Sequence, residues 1–154
     1  RNISKVALDF ISPLPLQHSV SIRNGFNGFL AQTWRVFAMA HYLSDRTLLI
    51  FLRDRLAYLR RAAIELCPEL ERDSLDTTVN AVASDFYFLD QAAETDFPTP
   101  YGLPAPDVPQ VVKIGGLVDS LQEHLLMLLP IPPDPIRQHL DVIIEINNEL
   151  SARY

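Results

Sequence analysis

The sequence predicts an all-α fold: a single-domain bundle of about five helices with a proline-rich crossover loop. Three observations predict it. The run Phe29–Cys67 covers 39 residues with no Gly and no Pro, opened by Gly28 and closed by Pro68. Its apolar residues recur at helical spacing, as do those of three later segments. The prolines gather instead in two clusters, where they read as stiff connections between helices. At 154 residues one domain, 1–154, is the simplest division. A domain of that size buries about 70% of its unfolded surface, enough for one core.

Residues 1–18 carry Pro13 and Pro15 without a period and read as an N-terminal arm. The first helix is expected from about Ser19 or Asn27 to Leu43. Gly25 and Gly28 weaken its first turns, because interior glycine costs about 1 kcal/mol against alanine. A single helix of 39 residues is far above the usual length, and Ser44 and Asp45 are good cap residues, so the run breaks there. The second helix is then about Asp45–Cys67, with Leu48, Leu52, Leu56, Leu59, Ala63 and Leu66 as its main stripe. The first two helices form a long antiparallel pair.

The third helix begins after Asp73 and reaches about Ala93, with Leu75, Val79, Val82, Phe86, Leu89 and Ala93 on one face. Phe97–Pro109 holds five prolines in thirteen residues and is expected to cross the bundle as an ordered extended segment, packed through Tyr101 and Leu103. Val111, Val112 and Ile114 suggest a short strand stopped by Gly115-Gly116. A helix follows from about Gly116 to Leu129, with Leu117, Leu121, Leu125 and Leu128 inward. Pro130, Pro132 and Pro133 make a second rigid turn. Asp134 is expected to cap the last helix, with Pro135 at its first position, where a missing N–H is harmless. Ile136, Leu140, Ile143 and Leu150 face in.

Composition narrows the function classes. The chain is 48% hydrophobic with mean hydropathy +0.08, which fits a large core or apolar surface held for a partner. No apolar run approaches the roughly 18 residues of a membrane span. One cysteine, Cys67, permits no internal disulfide and no cysteine metal cage. An intracellular, soluble and most simply cytoplasmic protein is expected. The chain begins with Arg1 rather than Met, as expected of a processed or excerpted piece. Net charge is −6, divided as +4 over residues 1–72 and −10 over residues 73–154. The two halves either pack on each other or offer partner surfaces of opposite sign. Nucleic acid is a poor fit for so acidic a chain.

Chemical motifs are sparse. The sequence has no phosphate loop, GxGxxG or GxSxG. Glu123, His124, His139 and Asp141 could meet across two adjacent helices, but only proximity in sequence suggests it and a metal needs ligands aimed at one point, so no metal site is assigned to them. Cys67 ends a helix, where the dipole raises a thiol pKa, so it reads as structural. No catalytic residue, metal or cofactor is assigned. Arg53 and Arg60, seven apart, share a face of the second helix without an acidic i±4 neighbour, while Arg55 and Arg61 lie elsewhere. They either pair with the acidic C-terminal half or serve a partner. Trp34, Phe37, Tyr42 and Tyr58 lie at helical spacing, which usually means core. Tyr87 and Phe88 fall off the main stripe of their helix and need a cover from another element or from a partner.

The expected function is a non-enzymatic protein–protein interaction module: an adaptor, chaperone, immunity protein or accessory subunit. Its partner-binding candidates are Tyr87, Phe88, Arg53 and Arg60, toward a protein partner or a homo-oligomer. One alternative is a helical binding protein for an apolar or amphipathic small molecule, with Trp34, Arg35 and His41 as ligand-binding residues. Another is an enzyme with a dispersed site.

Overall fold

The computed structural model describes residues 20–96 and 108–154. The expected N-terminal arm and most of the proline-rich crossover, with Tyr101 and Leu103, lie outside the described residues. Five helices follow in order: α1 Val20–Met39, α2 Asp45–Leu66, α3 Thr77–Asp96, α4 Val108–Leu128 and α5 Asp134–Arg153. Single 3₁₀ turns, Ala40–Tyr42 and Pro68–Glu71, follow α1 and α2. No strand occurs among the described residues, so the chain is all-α. None of their helices is long and apolar enough to cross a membrane.

Local chemistry sets most of the boundaries. Ser44 leaves the helical region, and its hydroxyl accepts the Thr47 N–H at 3.2 Å, so the long run breaks at the expected residue. Cys67 closes α2, donating its N–H to Ala63. Asp76 starts α3: its carboxylate accepts the Val79 N–H at 2.9 Å and its carbonyl accepts the Asn80 N–H. That start is three residues beyond the expected one and leaves Leu75 outside the helix, fully exposed. Leu66, in the last turn of α2, is exposed as well. Asp134 is the first residue of α5 rather than its side-chain cap; its carboxylate binds Arg137 at 2.7 Å.

The expected strand at Val111–Ile114 is instead the first half of α4. The helix runs on through Gly115 and Gly116. A Cβ at Gly115 would meet Asn147 Oδ1 on α5 at 3.4 Å, so this glycine marks a close approach of two helices rather than a stop. Val111, Ile114 and Val118 are buried beside Leu121 and Leu125, while Leu117 and Leu128 are half-buried.

α2 packs along α5, and α3 packs along α4. Contacts of α5 with α4 and with the end of α1 join these pairs. Asp45 meets Arg153 and Arg55 meets His139, so α2 and α5 run antiparallel. Thr33 meets Arg55 while the chain turns at Ala40–Ser44, so α1 doubles back on α2, but among the described residues their backbones approach closely at few points: the expected long antiparallel first pair does not form, and α2 pairs with α5 instead. The core joins Leu48, Leu49, Leu52, Leu56, Leu59 and Ala63 of α2 and Ile136, Leu140, Val142, Ile143, Ile146 and Leu150 of α5 with Val79, Val82, Phe86 and Leu89 of α3 and the buried face of α4. Each such large aliphatic side chain contributes about 1.5–3 kcal/mol on burial.

Candidate functional site

Among the described residues, four polar or charged ones are buried: Arg55, Asp85, His139 and Asn147. Each lies on the apolar period of its helix. Arg55 continues Leu48 and Leu52 toward Leu59, and Asp85 stands between Val82 and Leu89. His139 and Asn147 fall between Ile136, Ile143 and Leu150. Each also meets a polar group on another helix, which sets the register of that helix pair.

Arg55, which the sequence places off the Arg53–Arg60 face, is fully buried. Its Nη2 donates to Thr33 Oγ1 at 2.7 Å and Gln32 Oε1 at 3.1 Å on α1. Its Nη1 lies 3.5 Å from His139 Nδ1 on α5. The His139 ring stacks on Tyr58, with centroids 5.9 Å apart, and Arg61 stands 5.7 Å from the Tyr58 centroid. Burial lowers the Arg55 pKa to about 10, a value at which the group stays charged at neutral pH. Burial, and then the adjacent Arg55, lowers His139 to about 3. His139 is therefore a neutral imidazole. Together these residues tie α1, α2 and α5.

Asp85, Ser120 and His124 hold α3 to α4. His124 Nδ1 is 2.6 Å from Asp85 Oδ2, and Ser120 Oγ donates to Asp85 Oδ1 at 3.1 Å. The residue types are those of a nucleophile triad, but the geometry differs. Ser120 and Asp85 both approach Nδ1, with Ser120 Oγ at 3.4 Å from it. A triad needs the hydroxyl on the ring nitrogen opposite the carboxylate. Here the serine proton is directed to the carboxylate and the hydroxyl is not activated. No group of three or more His, Cys, Asp or Glu suited to a metal occurs among the described residues.

At the end of α5, Arg153 binds Asp45 and Glu149 and donates to the carbonyls of Ala40 and Leu43 at 3.2 and 2.8 Å. Tyr154 also donates to Asp45. Partial burial opposes ionisation of Asp45, but the bonds from Tyr154 and Arg153 outweigh it and hold the carboxyl below its ordinary value. Cys67 is buried; desolvation, and then Glu69, push its thiol up, consistent with a structural role.

The residues singled out in the sequence fall on three surfaces. Tyr87 and Phe88 are 59% and 54% exposed on α3, forming an edge-to-face pair with centroids 5.7 Å apart. Arg53 and Arg60 lie along α2; Arg53 is half-buried 3.8 Å from Asp54, and Arg60 is exposed. Neither forms an ion pair with the acidic C-terminal half among the described residues. No hydrogen bond, ion pair or ring contact joins them to Tyr87 or Phe88. Trp34, Arg35 and His41 lie on the outer side of α1 and its 3₁₀ turn, all exposed. His41 Nδ1 is 3.5 Å from Glu149, and its ring meets Tyr42 edge-on.

The expectation that Trp34, Phe37 and Tyr42 are core is overturned: they are 55%, 40% and 79% exposed. Helical spacing places side chains on one face but does not say which face is covered. Here Val36, Ala40 and the polar contacts to Arg55 occupy the inner side. A groove of about 350 Å³ between α4 and α5 is lined by Val111, Val112, Gly115, Gly116, Leu150 and Tyr154, among others, and by none of the candidate partner- or ligand-binding residues.

Compared with protein-family models, with curated proteins and with solved structures, the chain matches none.

Proposed function

We propose that this chain is a non-enzymatic protein–protein interaction module. One observation carries the reading: large aromatic side chains stand exposed in clusters on two helices whose other sides are packed into the core. On α1 these are Trp34 and Phe37, with Tyr42 in the following turn; on α3 they are Tyr87 and Phe88. Trp and Tyr are the residue types that dominate binding energy when a partner desolvates them, and helical anchors at i, i+3 and i+7 suit a packed partner. Trp34, Phe37 and His41 have that spacing. The polar clusters at Arg55, Asp85 and Asn147 are engaged between helices, which leaves the aromatic faces as the surfaces available for recognition.

The test is affinity enrichment from cells expressing the tagged chain, with Trp34→Ser/Phe37→Ser and Tyr87→Ser/Phe88→Ser doubles beside the wild type. The expected outcome is a defined partner, a second copy included, lost from at least one double that melts like the wild type. Recovery of the same partner with both doubles, or of none with the wild type, contradicts the reading.

The groove between α4 and α5 favours a second reading, a binding protein for a small apolar molecule. Native mass spectrometry of the purified chain tests it. A co-purifying ligand lost in Gly116→Leu supports it, and a bare chain opposes it.

A further inference from the structure

The groove between α4 and α5 combines apolar walls with one polar pair. Val111, Val112 and Leu150 supply the walls, and Gly115 and Gly116 leave room by lacking side chains. Asp119 and Asn147 line it from the two helices, and Asn147 Nδ2 donates to Asp119 Oδ1 at 3.0 Å. A carboxylate only accepts, so this bond fixes the amide: its nitrogen faces Asp119 and its oxygen is left over. Asn147 is 6% exposed, and its Oδ1 lies 3.4 Å from where a Cβ of Gly115 would stand. Among the described residues nothing donates a hydrogen bond to that oxygen, and no cation pairs with Asp119. None of the described residues that line the groove is Lys, Arg or His, and the Tyr154 hydroxyl is already given to Asp45.

We infer that this groove takes a small organic ammonium: a protonated primary amine on an alkyl or aryl body. The inference rests on reading the groove as a ligand site and names the class of that ligand. A primary ammonium carries three donors, no acceptor and one positive charge. Asp119 supplies the opposite charge, and Asn147 Oδ1 a second acceptor on the residue bonded to it. The body of the ligand lies along Val111, Val112 and Leu150, where leaving water is favourable. A wholly apolar occupant seals Asn147 Oδ1 from water without a donor, which costs free energy, and an ammonium does not. An anionic ligand meets like charge at Asp119. A metal ion is a poor fit, because one carboxylate and one amide oxygen are far fewer ligands than a hard cation takes. The volume of about 350 Å³ suits a small molecule.

Three probes with one body and different heads test this on the purified full chain: n-hexylammonium, 1-hexanol and hexanoate, titrated while the methyl NMR signals of Val111, Val112 and Leu150 are followed. The ammonium should bind about tenfold more tightly than the alcohol, as expected of hydrogen bonds to a charged group, and hexanoate should bind most weakly. Asp119→Asn should bring the ammonium down to the alcohol and leave the alcohol unchanged, with the same melting curve as the wild type. Glu65→Gln makes an equal charge change at the end of α2 remote from Asp45 and Tyr154, and should keep the preference. Gly116→Leu should weaken all binding by filling the groove. Equal binding of ammonium and alcohol, or tightest binding of hexanoate, overturns the ammonium and leaves the groove as a ligand site. A preference that persists in Asp119→Asn, or is lost equally in Glu65→Gln, overturns it too, because the charge that selects is then not Asp119. If no probe moves the groove methyls, or Gly116→Leu binds like the wild type, the ligand-site reading falls with it.

Discussion

Helices α1 and α5 are both 20 residues long, and they use their side chains in opposite ways. α5 carries eight buried residues, drawn from two adjacent stripes, and meets α2, α4 and α1. From Leu30 to Met39, α1 buries only Val36 fully, and turns Trp34, Phe37 and Met39 toward solvent. Over this stretch Arg55 donates to Gln32 and Thr33, and Arg153 donates to the Ala40 carbonyl just beyond the end of the helix. The comparison teaches that aromatic content is not a guide to burial here. Aliphatic residues build most of the interior together with Phe86, polar residues set helix register, and Trp34, Phe37, Tyr87 and Phe88 stand outside.

The largest expected effect breaks the tie between the two helices. Arg55→Ala removes a buried side chain and strips Thr33 and Gln32 of a charged donor, so a loss of about 3–5 kcal/mol is expected in denaturant unfolding. Amide exchange should rise first in α1. A uniform rise across all helices would show that α1 is not held chiefly through Arg55. On the α5 side, Ile143→Ala deletes methylenes in a fully enclosed position and should cost about 2–5 kcal/mol. A melting temperature unchanged within error would contradict the placement of α5 at the centre.

The pH response sharpens the same contrast. Folding lowers the His139 pKa from 6.5 to about 3, so between those values the unfolded chain binds the extra proton. Stability contributed by the neutral imidazole is complete above pH 6.5 and is lost as pH falls toward 3. At pH 4 the loss is about 3 kcal/mol. His139→Gln, which cannot titrate, should show a flatter stability profile than the wild type between pH 7 and 4. Equal slopes would place the acid sensitivity elsewhere.

Smaller effects belong to the outer surfaces. Gly116→Ala, with nothing within 4 Å of the added Cβ, should stabilise α4 by about 0.5–1 kcal/mol. Phe37→Ser on the outer side of α1 should change stability by no more than about 0.5 kcal/mol. A loss of several kcal/mol there would mean that the α1 face is core after all.

Much of this architecture was legible in the sequence because its helices are bounded by strong punctuation. Ser44, Pro68 and the prolines around 130–135 end or start elements where local geometry demands it. The stripes of α2 and α5 follow directly from aliphatic spacing. Residues Val111–Ile114 were misread because β-branched residues before Gly115-Gly116 resemble a strand. Inside that helix Gly115 faces Asn147 of α5 at contact distance and Gly116 faces open space. Arg55 escaped notice for a different reason. Set apart only from the Arg53–Arg60 face, it was not counted with the stripe, yet it stands on the same period as Leu48, Leu52 and Leu59, as His139 stands on that of Ile136 and Ile143. A polar residue on an apolar period is the signal that would have found both. The exposure of Trp34 was not legible, because periodicity groups residues into faces without saying which face another element covers.

Trp34 is the single tryptophan of the chain, so its fluorescence reports the α1 face alone. The direct measurement is acrylamide quenching and emission maximum on dilute monomer. The account predicts emission and quenching close to those of tryptophan in water, with no change when Phe88 is replaced by Ser. A blue-shifted emission with strong protection in the monomer would contradict it, by placing the aromatic face of α1 inside the fold.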